Sequence, residues 1–252
     1  MAYELIENDL DDTLIENRIS SSDRKLFLRR RTIDRWLQWF RSCAVCKSSL
    51  PPIDFLCEDC WHHFDRIRNR GDWLAQPGYP FPVYSLLSWT DENDAFIRPF
   101  IYGLKRGWAV AALEKLTQLL VFERRWGREN SSPLFVHPES SNGKPDHSRL
   151  LGLILGHQWG TSVFTLDWEL EGLRSNRMSQ KRLNVSGRAE RRFAEVFSEV
   201  RYADLTSTRV FVDDVITSGA TAVAAHLALG RPEHFEVWVL VCRPKLARSG
   251  RF

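Results

Sequence analysis

The sequence has no long apolar run. A membrane-spanning helix needs about 18 predominantly apolar residues, whereas no uninterrupted apolar run is longer than that at residues 237–242, which has the length of a buried strand. The first residues are acidic and have no apolar core, so they do not resemble a signal peptide. Of the 252 residues, 43% are hydrophobic and 27% are charged, which is typical of a globular chain and excludes collagen-like and disordered classes. We therefore expect a soluble, cytoplasmic protein without membrane insertion.

The sequence also has little net charge. The formal value of +3 is too small to indicate a nucleic-acid partner. The charge is unevenly distributed, because residues 1–23 carry seven acidic residues and one basic residue, which leaves +9 for the rest of the chain. Basic residues gather at 24–41, at 174–192 and from Arg243 onward. These segments are either solvated helix faces with a loose tail or a groove for a polyanion, and the charge pattern leaves both open.

Cysteine is scarce, with five residues, but four of the five form a regular pattern. Cys43 and Cys46 make one C-x2-C pair, and ten residues separate it from a second pair, Cys57 and Cys60. Each such turn directs two thiolates at one point, and two turns supply the four sulfur ligands of a structural zinc site. Disulfides are the alternative, which the reducing cytosol disfavours. We predict a closed zinc site, and we assign the fifth cysteine, Cys242, to the core.

The pattern of apolar residues divides the chain into four parts. Residues 1–21 are expected to form an acidic, poorly ordered N-terminus, residues 22–70 a basic helix followed by the zinc module, and residues 71–82 a linker rich in proline. Residues 83–252 alternate between strand and helix patterns, which predicts an α/β domain with a doubly wound, mainly parallel sheet. Strands are expected at 83–89, 134–136, 209–212 and 235–242, and helices at 22–41, 61–70, 93–104, 109–123, 146–159 and 221–229.

The strongest chemical pattern is at residues 210–221. A short apolar strand is followed by two neighbouring acids, Asp213 and Asp214, and then by a small, hydroxyl-rich turn at 217–221. The turn offers backbone N–H groups, hydroxyls and a helix N-terminus, which together suit a phosphate. The acids would repel a phosphate, so we expect them to accept hydrogen bonds from sugar hydroxyls at the strand end, where open parallel sheets bind ligands. A strand with a threonine helix cap is the alternative, but it requires neither the acid pair nor Gly219.

Residues 213–221 resemble the phosphoribosyl-diphosphate (PRPP) binding signature of type I phosphoribosyltransferases. Combined with the four-cysteine pattern, they resemble the ComF family of competence proteins. Residues 101–107, Ile-Tyr-Gly-Leu-Lys-Arg-Gly, are similar to the lysine motif of that family, and residues 177–183 with Arg188 are similar to its Arg-x-x-Gln segment. The resemblance runs from about residue 43 to residue 242.

The resemblance implies a PRPP site that uses Mg²⁺. Asp213 and Asp214 would contact the ribose hydroxyls and, with Lys105, would form the catalytic group, while Mg²⁺ would bridge to the diphosphate. The 5′-phosphate would be held by Thr217, Ser218, Gly219, Ala220 and Thr221. The diphosphate and a mobile flap, which keeps water from the reactive sugar, would involve Arg106, Arg177, Gln180 and Arg188.

The sequence departs from the family pattern in two places. One is Arg191, which stands where the family has an asparagine after the flap arginine, and the other is the diphosphate-loop region. The Pro-Val-Pro segment reads Val136-His137-Pro138, and the following Arg-Gly-Phe-Asn segment, which shapes the diphosphate loop, reads Gly-Lys-Pro-Asp-His at 143–147. A lysine there supplies charge but not the bidentate fork of an arginine. We therefore expect ribose-phosphate binding to persist and the case for catalysis to be weaker. For the two histidines, His137 and His147, packed or capping roles are expected.

Two functions follow as expectations. The first is an accessory of DNA uptake in natural transformation, which binds single-stranded DNA and works with a helicase. The second is a Mg²⁺-dependent phosphoribosyltransferase with an unknown acceptor. Ten tryptophans are many for this length. Four of them lie in or beside the basic helix and zinc module, and they either stack on bases or pack internally; they are Trp36, Trp39, Trp61 and Trp73.

Overall fold

The computed structural model describes residues 42–48, 55–69, 80–105, 109–124, 133–139, 147–166 and 207–243. The expected acidic N-terminus, the basic helix at 22–41, most of the linker and the flap segment lie outside the described residues. None of the helices within these ranges combines the length and the apolar character needed to cross a membrane.

The described part of the chain contains five α-helices and five strands. A single 3-10 turn, Asp91–Asn93, precedes the second helix. In chain order the elements are α1 (Glu58–Ile67), β1 (Val83–Ser88), α2 (Asp94–Lys105), α3 (Ala109–Arg124), β2 (Leu134–Pro138), α4 (His147–Trp159), β3 (Val163–Leu166), β4 (Arg209–Ile216), α5 (Ala220–Ala228) and β5 (Phe235–Cys242).

The five strands form one sheet in the order β1-β5-β4-β2-β3, and every neighbouring pair is parallel. Its central strands, β4 and β5, are rich in valine and are buried along most of their length. Strands with helices on both faces read as continuous apolar runs of this kind. The α/β class and the parallel sheet expected from the sequence are confirmed.

Helices cover both faces of the sheet. On one face, Leu116 of α3 and Leu150 of α4 share an apolar cluster with Trp238 of β5. On the other face, Ala222 and Ala225 of α5 belong to a second cluster, which contains Phe211, Val237 and Val239. Each face therefore buries its own apolar cluster, as a doubly wound sheet requires.

The largest differences from the sequence prediction are in β4 and β3. The expectation that β4 ends at residue 212 is wrong, because the strand continues through Asp213 and Asp214 to Ile216, where it still pairs with Cys242 of β5. The short strand β3 was not predicted. It is an edge strand that pairs with β2 and is only partly buried, so it lacks the long apolar run that marks the central strands.

Candidate functional sites

The four paired cysteines come together at one point. The Sγ atoms of Cys43, Cys46, Cys57 and Cys60 all lie within 4.8 Å of one another. Zinc–sulfur bonds of about 2.3 Å at tetrahedral angles place sulfurs about 3.8 Å apart, and the Sγ atoms of Cys46 and Cys57 are 3.5 Å apart. None of the four forms a disulfide. The cluster therefore has the composition and the spacing of a metal site.

Each cysteine pair is held by a local turn. In the first pair, the Cys43 N–H donates to the Ser48 carbonyl at 2.7 Å, and the Lys47 N–H donates to the Cys43 carbonyl at 3.1 Å. Lys47 takes a left-handed φ of 66°, which closes the turn. In the second pair, Cys57 is the N-cap of α1 and Cys60 lies in its first turn. A helix N-terminus stabilises negative charge, so this position favours thiolates.

Two thiols of the cluster have shifted pKa values. The Ser48 hydroxyl, 3.1 Å from the Cys46 Sγ, lowers the pKa of Cys46 from 9.0 to about 6. Burial instead raises the pKa of Cys60 well above its usual range, because the thiolate would be removed from water. A metal cation at the centre of the cluster would supply the charge that ionises Cys60.

The cysteine cluster packs against the α/β domain through aromatic side chains. Phe55 and Phe64 each lie 5.9 Å from the ring of Phe100 on α2. Trp61 makes an edge contact with Phe55 at 5.3 Å, and the Lys115 ammonium lies 4.4 Å from the Trp61 ring centre. Trp61 is therefore engaged in internal packing. The other three tryptophans considered for base stacking lie outside the described residues.

The region beyond the carboxyl ends of β2 and β4, called the crevice below, lies where the strand order of the sheet changes direction. The connection from β2 through α4 leads outward to β3, whereas the connection from β4 through α5 leads the opposite way to β5. The two helices pack on opposite faces of the sheet. Among the described residues, the ladder between β2 and β4 ends where Val136 pairs with Phe211, although β4 continues along β5 to Ile216. Such a switch in strand order is where open α/β sheets bind ligands.

The two acids lie in β4 beyond the end of this ladder. Both Asp213 and Asp214 are partly buried. The Asp213 Oδ1 accepts two hydrogen bonds, from the Ser148 hydroxyl at 2.7 Å and from the Asp214 backbone N–H at 2.8 Å. Ser148 is the second residue of α4 and is buried. The carboxylate of Asp213 is thus held by a side chain of α4, the helix that follows β2.

The turn after β4 adjoins the acids. Thr217 and Ser218 are exposed, and Gly219 has a left-handed φ of 73° where it caps the N-terminus of α5. The Ala220 N–H donates to the Ser218 hydroxyl at 3.4 Å. Thr221 follows in the first helical turn. Backbone N–H groups of a first helical turn have no partner within the helix and attract anions, so the turn can bind a phosphate.

The helix that ends at Lys105 contacts the start of α4. The His147 Nε2 donates to the carbonyl oxygen of Leu104 at 2.8 Å, which ties the end of α2 to the first turn of α4. Only the backbone of Lys105 is described. The other residues assigned to the diphosphate and the flap lie outside the described residues; they are Arg106, Arg177, Gln180 and Arg188.

Both histidines of the altered diphosphate segment make internal contacts. His137 is 2% exposed, with Nδ1 3.1 Å from the Pro138 carbonyl oxygen and Nε2 3.2 Å from the Thr165 hydroxyl. His147 caps α2 as described above. These contacts agree with the packed and capping roles expected from the sequence.

Two structural features were missed by the sequence reasoning. Ser148 was not singled out, because its contact with Asp213 joins residues 65 positions apart and leaves no local signal.

The second feature is at the rim near β5. The Trp89 indole donates to Asp94 at 2.8 Å, and Arg98 pairs with the same carboxylate at 3.0 Å. The hydrogen bond from Arg98 lowers the pKa of Asp94 below 3.8, and the hydrogen bond from Trp89 contributes a smaller lowering.

No protein-family model matches the chain, and a search of curated proteins finds no match either.

Proposed function

We propose that the chain binds a phosphorylated ribose, with PRPP as the intended ligand, in the crevice between β2 and β4. The observation that supports this most strongly is the adjacency of two chemically different surfaces. One is the acid pair, with Asp213 held by Ser148 at 2.7 Å. The other is the turn at 217–221, where Gly219 is the N-cap of α5. A ligand with hydroxyls at one end and a phosphate at the other matches both surfaces.

Charge explains the division of the ligand between the two surfaces. The N–H groups and partial positive charge at the start of α5 suit the 5′-phosphate. Asp213 and Asp214 repel phosphate oxygens but accept hydrogen bonds from ribose hydroxyls. Their oxygens are also ligands of the type that Mg²⁺ prefers, so a diphosphate-bound Mg²⁺ would be attracted to the same place.

We infer that the metal of the cysteine cluster is zinc. Four sulfur ligands in a closed tetrahedral arrangement suit a soft, redox-inert ion. The site has the geometry to stabilise the module, since Cys57 and Cys60 form the start of α1 and the turn at Cys43 contacts α2. Such a centre has a structural role and takes no part in chemistry at the crevice.

The biological role that we propose is that of a ComF-like accessory of DNA uptake in the cytoplasm, with single-stranded DNA and a helicase as partners. This rests on the resemblance of residues 43–242 and on the basic segments of the sequence. The alternative is a phosphoribosyltransferase, in which fixed positive charge near Lys105 would offset the charge of the leaving diphosphate. The altered segments at 136–138 and 143–147 favour binding over catalysis.

Calorimetric titration with PRPP and Mg²⁺ tests the ribose-phosphate site. The double variant Asp213→Asn/Asp214→Asn should bind at least about tenfold more weakly, since it removes two charged acceptors. The matched control is Glu233→Gln, because Glu233 is an exposed acid that precedes β5 at the opposite end of the sheet. Equal heats from the wild type and the double variant would contradict the proposal.

Fluorescence anisotropy with labelled single-stranded DNA tests the proposed role. Binding to the full chain should be measurable at low salt and should weaken as salt rises, because released counterions drive association with a polyanion. Absence of binding at low salt would contradict the DNA role and would leave the ribose-phosphate site to be judged by calorimetry alone.

A further inference from the structure

We propose that Ser148 is a positioning residue, which fixes the direction of the Asp213 carboxylate for recognition of the sugar. This inference rests on the proposed function and assigns a role to a residue outside the acid pair and the phosphate turn. Ser148 would act through Asp213 and would not contact the phosphate.

The geometry around Asp213 supports this role. The Ser148 hydroxyl and the Asp214 N–H both donate to the same oxygen, Oδ1, at 2.7 Å and 2.8 Å. Two donors from different directions restrict rotation of the carboxylate about its bond to the Cβ. Because a carboxylate is planar and rigid, fixing Oδ1 also fixes the direction in which Oδ2 points.

The surroundings of Ser148 explain why a hydroxyl is present there. Ser148 is 4% exposed, and its neighbours along the helix, Leu150 and Leu151, are fully buried. Burying a hydroxyl costs free energy unless it finds a partner. At this position the partner is a charged carboxylate, and hydrogen bonds to charged acceptors are shorter and stronger than neutral ones.

Ser148 also lies on a firmly held part of the chain. The preceding residue, His147, donates to the Leu104 carbonyl of α2 at 2.8 Å. The following turns of α4 are buried against the sheet and α3. A donor carried by such an element has a fixed position, which is what an orienting residue requires.

The test compares two probes, ribose 5-phosphate and inorganic phosphate, by calorimetry on the full chain. Ser148→Ala should raise the Kd for ribose 5-phosphate by about tenfold, while the Kd for inorganic phosphate should stay within about twofold, since phosphate contacts only the turn at 217–221. Ser148→Cys keeps a weak donor of similar size, so its Kd for ribose 5-phosphate should lie between those of the wild type and Ser148→Ala. Ser85→Ala is the control, because Ser85 is 2% exposed and lies on β1.

A double-mutant comparison separates positioning from a structural effect. In the Asp213→Asn background, Ser148→Ala should weaken ribose 5-phosphate binding no further, because residues that act through one contact are not additive. The inference would be overturned if the effects of the two substitutions are additive, or if Ser148→Ala leaves the Kd for ribose 5-phosphate unchanged. It would also be overturned if Ser148→Ala weakens the binding of both probes equally. Each of these results would leave the proposed function standing. If Ser148→Ala does not fold, the same criteria apply to Ser148→Cys. If the wild type binds neither probe, the proposed function is overturned together with this inference.

Discussion

Gly103 of α2 lies so close to Ala44 of the cysteine turn that a Cβ at position 103 would meet the Cβ of Ala44 at 2.6 Å and its Cα at 3.2 Å. The helix that touches the cysteine turn is also the helix whose end is capped by His147, one residue before Ser148. The cysteine cluster and the crevice are therefore joined by one short path through α2, and glycine is needed at the point of contact.

Gly103→Ala should destabilise the protein and make its metal easier to remove. Alanine favours a helix by about 1 kcal/mol over glycine, but the added methyl would displace Ala44 and its backbone, and overpacking of this kind costs about 1–3 kcal/mol. Denaturant unfolding and the rate of zinc transfer to a chelator are the measurements. Gly152→Ala is the control, because its Cβ would meet His137 at 3.3 Å, far from the cysteines. If Gly103→Ala transfers its zinc to the chelator as slowly as the wild type does, the close contact between Gly103 and Ala44 would be contradicted.

Cys57→Ser should abolish stable metal binding, whereas Cys242→Ala should retain it. Serine is a poor ligand for a soft metal centre, and loss of one of four ligands opens the site. Cys242 is buried at the end of β5 and pairs with Ile216, away from the cluster. Elemental analysis should find one zinc ion per chain in the wild type and in Cys242→Ala. Full zinc content in Cys57→Ser would rule out the assigned ligand set.

Gly219→Ala should lose phosphate binding. Gly219 has a φ of 73°, and a residue with a Cβ is strained there by about 1–2 kcal/mol, which should distort the turn. Gly230, at the other end of α5, has a φ of 78°, so Gly230→Ala introduces the same strain away from the crevice. The two variants should lose similar stability in thermal unfolding, but only Gly219→Ala should fail to bind inorganic phosphate in calorimetry. Equal phosphate affinities would contradict the assigned role of the turn.

The pair formed by Asp94 and Arg98 should give a measurable pH dependence. Because Arg98 lowers the pKa of Asp94 below 3.8, the contribution of the pair is present above that pH and is lost as the pH falls through the lowered pKa. Arg98→Gln should move the midpoint up toward 3.8. The titration can be followed by NMR at the Trp89 indole N–H, which donates to Asp94. The exposed Arg231 provides a control, since Arg231→Gln should leave the midpoint unchanged, and an unshifted midpoint in Arg98→Gln would contradict the assignment.

The sequence was sufficient to predict features that depend on local spacing. The two C-x2-C pairs predicted the cluster, because each turn fixes two sulfurs regardless of the rest of the fold. The apolar runs at 235–242 and 209–212 predicted strands, and the run at 237–242 predicted a buried one, because a strand covered on both faces is apolar along its length. The alternation of such runs with helical patterns then predicted a parallel sheet.

Features that depend on contacts between distant segments could not be predicted. The sequence suggested that β4 ends before its acids, whereas the ladder with β5 carries the strand through Asp213 to Ile216. The partnership of Ser148 with Asp213 and the contact of Gly103 with Ala44 arise only when helices dock. Ser148 belongs to no local pattern of acids, hydroxyls or cysteines, and Gly103 was noted only as part of the motif at 101–107, so the sequence alone predicted neither contact.

The most direct test is a crystal structure of the protein with PRPP and Mg²⁺. Our account predicts density for the 5′-phosphate at the N–H groups of residues 217–221, with the ribose hydroxyls within hydrogen-bonding distance of Asp213 and Asp214. Density for the ligand elsewhere on the protein, or a crevice that stays empty at saturating PRPP under conditions where calorimetry shows binding, would contradict it.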